Sequence, residues 1–251
     1  MQASRRAFLG LAAAGLAAPA LGAPRSVRAT GGPRVRAIAF DGFPVIDPRP
    51  VAARAESLFP GSGSTLVEAW RTRQFEYTWL RTLSDSYRDF WQVTEDALVF
   101  AARSLKIDLS VEKREQLLHT YLELRAWPDA ASALKSLREA GIRLAFLSNL
   151  TAPMLEAAVR NSGLGGMFEP HLSTDRVGAY KPDPRAYRMA LDAFGLKREE
   201  ILFAASAGWD AAGARQFGYP SFWVNRTGLP VEEGCGSHPD HHAARTAWRS
   251  G

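Results

Sequence analysis

Short apolar runs that end at polar residues recur along the chain after residue 34. The three clearest are Val35–Phe40, Arg143–Leu147 and Ile201–Ala205, with two shorter ones at His171–Ser173 and Ser221–Val224. Runs of four to six mostly apolar residues are typical of strands buried on both faces of a parallel sheet. The pattern therefore predicts five strands of such a sheet.

The segments between these runs have helical periodicity. The predicted helices are Ser64–Ser84, Thr94–Leu105, Val111–Leu124, Ala131–Ala140, Ala152–Ser162, Pro184–Phe194 and a last one that ends at Phe217. Strands that alternate with helices predict an α/β fold with a Rossmann-like, doubly wound parallel sheet. Because the first three helices fall between the first two strands, they indicate an inserted helical cap. We expect a core of residues 34–47 and 127–240 and a cap of residues 48–126.

Three local details follow from the same patterns. The stretch Asp41-Gly42-Phe43-Pro44 is expected to form a turn. Thr94 is expected to be the N-cap of its helix. The first cap helix should bury one apolar face, formed by Leu66, Trp70, Tyr77 and Leu80.

The N-terminus has the pattern of an export signal. Arg5-Arg6 precede Phe8-Leu9, an apolar stretch continues to Leu16, and small residues follow. A charged start, a short apolar stretch and an Ala-x-Ala site indicate a secretory signal over residues 1–23, cleaved after Ala20 or Ala23. The paired arginines are similar to a twin-arginine signal, which predicts a periplasmic protein. A membrane-anchoring helix is disfavoured, since the apolar run is short and interrupted by glycine and proline.

Composition argues against several classes of function. The chain has 251 residues and a formal charge of +5, without blocks of arginine or lysine, so nucleic-acid binding has little support. Cys235 is the single cysteine and cannot form an internal disulfide. No stable membrane anchor is expected after signal cleavage. His238, His241 and His242 lack an evident fourth ligand, so no metal site is predicted.

Polar residues follow three different predicted strands. Asp41 follows the first strand, Ser148-Asn149 the second, and Asp210 lies in the turn after Ile201–Ala205. In open α/β sheets, ligands bind at the carboxyl ends of strands, so these side chains should meet at one edge. Lys181, in a loop before a helix, could reach the same edge. A carboxylate beside a lysine stays ionised and is a competent nucleophile.

Each of these residues alone has a structural explanation. Asp41 could stabilise a turn, Lys181 could be a solvated loop residue, and Asp210 could favour a helix N-terminus. Their common position after successive strands favours a functional site.

Four ordered segments resemble the motifs of the haloacid dehalogenase superfamily. They are Phe40-Asp41, Leu147-Ser148-Asn149, Tyr180-Lys181-Pro182-Asp183 and Trp209-Asp210. Three further stretches are similar to the L-2-haloacid dehalogenases: Trp70-Arg71 with Gln74–Leu80, Phe217–Pro220, and Val224–Gly228. The similarity covers nearly all of residues 35–240.

This resemblance implies a cofactor-free hydrolase of short 2-halo acids and a homodimer. Asp41 would attack the halogen-bearing carbon, and water would hydrolyse the resulting ester. The resemblance implies that Lys181 orients Asp41, that Ser148 and the backbone of Asn149 bind the substrate carboxylate, and that Arg71 receives the halide. It further implies that Tyr187 and Asp210 support Lys181 and the water. The apolar wall would be formed by Phe43, Phe75, Phe90 and Trp209.

The sequence also departs from related patterns. Superfamily phosphatases carry a second acid, a general acid, two residues after the nucleophile, where this chain has Phe43. They also hold magnesium with extra acids in the last motif, where Ser206–Asp210 supplies only one, so phosphoryl transfer is disfavoured. The dehalogenases usually read Asp-x-Tyr-Gly-Thr-Leu-x-Asp, but the segment from Asp41 to Asp47 is one residue shorter and lacks the Gly-Thr pair. Ala205 and Ala207 replace a usual serine and asparagine. Two alternatives therefore stay open: an exported binding or scaffold protein of this fold, and a hydrolase of another small substrate.

Overall fold

A five-stranded parallel sheet forms the centre of the computed structural model, which describes residues 35–231. Its strands are β1 (Ala37–Phe40), β4 (Arg143–Ser148), β5 (Leu172–Ser173), β6 (Ile201–Ala205) and β7 (Ser221–Trp223). Their spatial order is β5-β4-β1-β6-β7, and each neighbouring pair is parallel. The first strand of the described residues, β1, lies in the middle of the sheet, with two strands on either side. This parallel sheet with its helices confirms the predicted α/β class.

Helices surround this sheet and fill the segment between its first two strands. In chain order they are α1 (Gly42–Val45), α2 (Arg49–Leu58), α3 (Gly63–Leu83), α4 (Phe90–Ser104), α5 (Val111–Glu123), α6 (Ala130–Glu139), α7 (Ala152–Asn161), α8 (Pro184–Phe194) and α9 (Gly208–Phe217), with 3₁₀ turns at Thr174–Arg176 and Arg198–Glu200. Within the described residues, no helix has the length and apolar character needed to cross a membrane.

The sheet is buried on both faces because alternate residues of its strands point to opposite sides. On one face, Phe40 and Phe146 belong to a cluster that includes Leu134 of α6 and Leu155 of α7. On the other face, Phe203 belongs to a second cluster with residues of α8 and α9. This double burial explains why the strands read as continuous apolar runs.

Helices α2 to α5 pack on one another beside the sheet. They leave and rejoin the core through a small antiparallel pair, β2 (Ile46–Asp47) and β3 (Arg125–Ala126). Neither this pair nor α2 is predicted by the sequence patterns. The helices fall within the range predicted as a cap, whose domain bounds stay a prediction.

The predicted apolar face of α3 is partly wrong. Leu66 and Trp70 are fully buried, but Leu80 is 59% exposed. The buried stripe continues instead through Gln74 and Thr78. A polar stripe can be buried here because each side chain has a hydrogen-bond partner: Gln74 Nε2 donates to Thr94 Oγ1, and Thr78 Oγ1 donates to the Phe75 carbonyl.

Two other local predictions are corrected by the structure. The N-cap of α4 is Asp89, whose carboxylate accepts from the Gln92 N–H, whereas Thr94 lies inside the helix and donates to the Phe90 carbonyl. The segment after Asp41 forms one helical turn, α1, with Pro44 inside it. Proline is tolerated there because the first N–H groups of a helix have no intrahelical partner.

Candidate active site

Asp41 lies at the carboxyl end of β1, between two neighbouring strands. Its N–H continues the sheet by donating to the Ala204 carbonyl of β6 at 2.9 Å. The carboxylate is held from both sides: Lys181 Nζ lies 2.9 Å from Oδ1, and Ser206 Oγ donates to Oδ2 at 2.6 Å. Asp41 keeps 8% of its surface exposed. A buried, oriented carboxylate with a little solvent access is suited to attack a small molecule.

Lys181 connects Asp41 to a second carboxylate. Its ammonium, which is 1% exposed, lies 2.6 Å from Asp210 Oδ2. The other oxygen of Asp210 accepts from Tyr187 Oη at 2.7 Å. Tyr187 thus supports Lys181 through Asp210.

 The chain of contacts therefore runs from Tyr187 through Asp210 and Lys181 to the nucleophile position.

A glycine allows Tyr187 to reach Asp210. A Cβ on Gly213 of α9 would lie 2.7 Å from Tyr187 Oη and 2.9 Å from Pro182 Cβ. Contacts this short require the neighbouring groups to move, so any larger residue at position 213 would push α9 away from Tyr187. The ring of Tyr187 packs against Phe203 and Phe217, and this packing holds its hydroxyl in position.

The two carboxylates, Asp41 and Asp210, have pKa values that are shifted in opposite directions. Burial alone would raise the pKa of Asp41, but the Lys181 charge and the Ser206 hydrogen bond outweigh it and hold that pKa below its usual 3.8. For Asp210, burial prevails over the attraction of Lys181, and the charge of Asp41 adds to it, so the pKa rises to about 6. Burial would lower the pKa of Lys181, but both carboxylates raise it above 10.5. At neutral pH, Asp41 is therefore an ionised carboxylate paired with an ammonium.

Ser148 and Asn149 reach the same group from β4. Ser148 Oγ lies 3.4 Å from Asp41 Oδ1 and accepts from the Leu150 N–H. Asn149 Oδ1 accepts from the Lys181 N–H at 3.2 Å, so this side chain fixes the backbone of the lysine loop. The structure thus brings together the polar residues that the sequence places after three different strands.

Arg71 supplies a positive charge next to the nucleophile loop. Its guanidinium carbon lies 5.7 Å from the centre of the Phe43 ring, within cation–π distance. Arg71 forms no ion pair with another side chain among residues 35–231. Since Asp41, Asp210 and Lys181 together carry one net negative charge, a nearby unpaired cation favours the approach of an anion.

The remaining predicted apolar residues lie on two sides of this group. Phe75 of α3 packs edge-on against Trp209, the residue before Asp210, and Trp79 contacts both rings. Phe90 is buried and packs edge-on against Tyr180, the residue before Lys181. Phe75 and Phe90 thus pack against the residues that precede Asp210 and Lys181 in the sequence.

Sequence reasoning assigned no role to several residues that hold the site. Ser206 is one, since a hydroxyl in a turn gives no distinctive signal. Trp127 and Arg226 are others: they donate to the carbonyls of Phe43 and Pro44, each at 3.0 Å. The last carbonyls of a helix lack intrahelical partners, so these bonds stabilise the short turn α1 after Asp41.

The charged group does not have the composition of a metal site. In the part of the chain that the structure describes, no three His, Cys, Asp or Glu side chains form an arrangement that could hold a metal ion. The position two residues after Asp41 is occupied by Phe43, whose side chain carries no acid. The histidines near the C-terminus, and the predicted signal, lie outside the described residues.

Comparison with known proteins agrees with this geometry. Residues 29–218 match the haloacid dehalogenase-like hydrolase family. The chain is 44% identical over 207 residues to an (S)-2-haloacid dehalogenase of Pseudomonas sp. (strain YL), covering 82% of this chain and 89% of that protein. It superposes on the L-2-haloacid dehalogenase RSc1362 with a TM-score of 0.78 and 43% identity, covering 80% and 90% of the two chains.

A third similar structure is the L-2-haloacid dehalogenase from Xanthobacter autotrophicus with chloropropionic acid covalently bound. It has a TM-score of 0.72 and 34% identity, and the match covers 78% of this chain and 79% of that one. The family match covers most of the chain, and the relatives are matched over most of their length. The chain therefore belongs to the haloacid dehalogenase-like hydrolases, with (S)-2-haloacid dehalogenases among its near relatives.

Proposed function

We propose that this protein hydrolyses short (S)-2-haloacids to (R)-2-hydroxyacids through an ester formed on Asp41. The observation that carries the proposal is the buried Asp41 carboxylate, ionised beside Lys181 at 2.9 Å, at the carboxyl end of the first strand. A near relative is known with chloropropionic acid covalently bound, which supports a covalent intermediate here.

In the first half-reaction, an oxygen of Asp41 attacks the carbon that carries the halogen. The new C–O bond forms as the carbon–halogen bond breaks, and the halide leaves with the bonding electrons. Attack from the side opposite the halogen inverts the carbon, which converts an (S) substrate into an (R) product. Arg71 provides the positive charge for the departing halide, and the Phe43 ring beside it keeps water away.

In the second half-reaction, water attacks the carbonyl carbon of the Asp41 ester. The acyl–oxygen bond breaks, the 2-hydroxyacid leaves, and Asp41 returns to a carboxylate with release of one proton. In this proposal Asp210, whose pKa of about 6 lies near neutrality, accepts the proton, and Lys181 stabilises the ester carbonyl. The balance is one haloacid and one water for one hydroxyacid, one halide and one proton.

Halide release tests the proposal directly. The full-length protein is incubated with both enantiomers of 2-chloropropionate and 2-bromopropionate, and with chloroacetate, without added metal. Release should be confined to the (S) enantiomers and chloroacetate, and Asp41→Asn should abolish it while leaving the circular dichroism spectrum unchanged. Equal turnover of both enantiomers, or a parent protein that releases no halide, would contradict the proposal.

We also propose that the protein acts in the periplasm after export by a twin-arginine signal. Support comes from Arg5-Arg6, the following apolar stretch and the Ala-x-Ala sites. Changing both arginines to lysine should leave the precursor in the cytoplasm, as measured by fractionation. Unchanged export of that variant would contradict the proposal.

A homodimer is proposed on the resemblance and on two exposed apolar side chains of α3. Leu80 is 59% and Leu83 is 88% exposed, so both side chains are accessible to a second copy. Light scattering should give twice the mass of the mature chain, and Leu83→Glu should shift it toward the monomer. A parent protein that is monomeric at micromolar concentration would contradict this assignment.

A further inference from the structure

Two serine hydroxyls flank the Asp41 carboxylate from the neighbouring strands. Ser148 is the last residue of β4, and its Oγ lies 3.4 Å from Asp41 Oδ1, the oxygen that Lys181 also binds. Ser206 follows directly after β6 and donates to Oδ2 at 2.6 Å. Among residues 35–231, Ser206 is the side chain that holds this second oxygen. The shorter bond therefore belongs to the serine that sequence reasoning left without a role.

Ser206 is itself fixed by its surroundings. The next strand, β7, ends at Trp223, whose indole N–H donates to the Ser206 carbonyl at 3.1 Å. The preceding residue, Ala205, ends β6 and is completely buried. The backbone of Ser206 thus continues a paired strand and is tied to a second one. A hydroxyl on such a backbone is preorganised, and little entropy is lost when its hydrogen bond forms.

Because a carboxylate can rotate about its Cβ–Cγ bond, one partner alone does not fix its plane. Lys181 binds one oxygen and Ser206 binds the other, so the plane is held at both ends. Displacement at carbon requires a lone pair aligned with the breaking bond. We propose that Ser206 is a positioning residue for the reaction, which orients the Asp41 carboxylate for attack. This inference rests on the proposed function.

The same bond serves the hydrolytic step. One oxygen of Asp41 becomes the ester oxygen, and the other becomes the carbonyl oxygen that gains negative charge when water attacks. Lys181 and Ser206 each hold one of these oxygens, so a donor faces the carbonyl oxygen whichever of the two has reacted. The hydrogen bond from Ser206 also favours the ionised form of Asp41, which lowers its pKa.

Ser206→Ala tests the proposal, with Ser221→Ala as the matched control. Ser221 also carries a hydroxyl at the edge of the same sheet, but its hydroxyl donates to the Ala211 carbonyl. Ser206→Ala should lower kcat for halide release about 10- to 100-fold, the range for a hydrogen bond to a charged group, with KM nearly unchanged. Ser206→Thr should restore most of the loss because it keeps the hydroxyl. Ser221→Ala should have the kcat of the parent.

Crystal structures provide a readout that does not depend on turnover. In the parent and in Ser221→Ala the Asp41 carboxylate should have one orientation, and in Ser206→Ala it should be rotated or occupy two. If Ser206→Ala does not fold, Ser206→Cys keeps the volume with a weaker donor and should show an intermediate kcat. Equal kcat in Ser206→Ala and Ser221→Ala, or an unchanged carboxylate, would overturn the inference. Absence of halide release from the parent would instead overturn the proposed function, and the carboxylate orientation would still decide the role of Ser206.

Discussion

Removal of the Lys181 ammonium should destabilise the fold as well as abolish activity. Lys181→Met keeps a long unbranched side chain in a position that is 1% exposed but removes the cation shared by Asp41 and Asp210. The variant then buries two carboxylates with no partner cation, so the net charge of the group changes from −1 to −2. Loss of one partner of a buried ion pair costs about 3–5 kcal/mol, mainly because it leaves an uncompensated charge.

A double variant separates this effect from the loss of packing. Lys181→Met combined with Asp210→Asn restores the group's net charge to −1, with Asp41 as the remaining ion. We expect the double variant to recover about 2 kcal/mol relative to Lys181→Met, since a hydrogen bond or ion left unpaired in the interior costs on that order. In Lys181→Met, lowering the pH should reduce the loss of unfolding free energy. The reduction should be about 1.4 kcal/mol for each pH unit over which one buried carboxylate takes up a proton.

Urea unfolding at pH 8 and pH 5, followed by circular dichroism, measures these differences. The expected order of stability at pH 8 is parent, double variant, then Lys181→Met, with a smaller gap at pH 5. A Lys181→Met protein within 1 kcal/mol of the parent, by the linear extrapolation usual for urea data, would refute the buried ion pair. A double variant less stable than the single one would refute the explanation by uncompensated charge.

Three further outcomes are expected. The pKa of Asp210 is about 6 in the folded protein and 3.8 in the unfolded chain, so between these values the folded protein binds the proton more tightly. The free energy of unfolding should therefore fall as the pH rises from 4 to 6. Urea unfolding of Asp210→Asn should lack that decrease. Halide release should survive EDTA, because Phe43 stands where a phosphatase has its second acid and the segment Ser206–Asp210 carries only one acid, Asp210. A magnesium requirement would argue against dehalogenation. Ala207 is the N-cap of α9 with an extended backbone and no capping side chain, so Ala207→Asn should raise the free energy of unfolding by about 1 kcal/mol.

The core of the fold could be predicted because its local signals agree with its tertiary structure. Helix α8 begins after the Asp183 cap and ends at Gly195, whose φ of 62° is the left-handed conformation that glycine adopts readily. Strand β6 is buried at every position and therefore reads as an unbroken apolar run. These elements were predicted with the observed bounds.

Elements that depend on distant partners were predicted less well. The buried stripe of α3 includes Gln74 and Thr78, and Gln74 is buried because it finds the Thr94 hydroxyl, 20 residues away. No periodicity of apolar residues contains that information. Helix α2 begins beside Pro48 and Pro50, which resemble loop residues in the sequence although proline is compatible with a first helical turn.

In the candidate site, too, some features could be predicted from the sequence and others depend on distant partners. Parallel strand ends predict that Asp41, Ser148 and Asp210 meet, and the structure places all three around Lys181 or its partners. The sequence could not show which turn hydroxyl faces the second oxygen of Asp41. That depends on the backbone of the residues after β6, which Trp223 holds through a contact 17 residues away.

The central claim is that Asp41 is alkylated by the substrate, and isotope labelling tests it most directly. A single turnover of (S)-2-chloropropionate is run in ¹⁸O-labelled water with enzyme in excess, and the peptide containing Asp41 is analysed by mass spectrometry. Because water attacks the ester carbonyl, the account predicts that the label enters Asp41 and that the hydroxyacid formed in this first turnover is unlabelled. Label found in the hydroxyacid, with Asp41 unlabelled, would show direct attack of water on the substrate and would contradict the account.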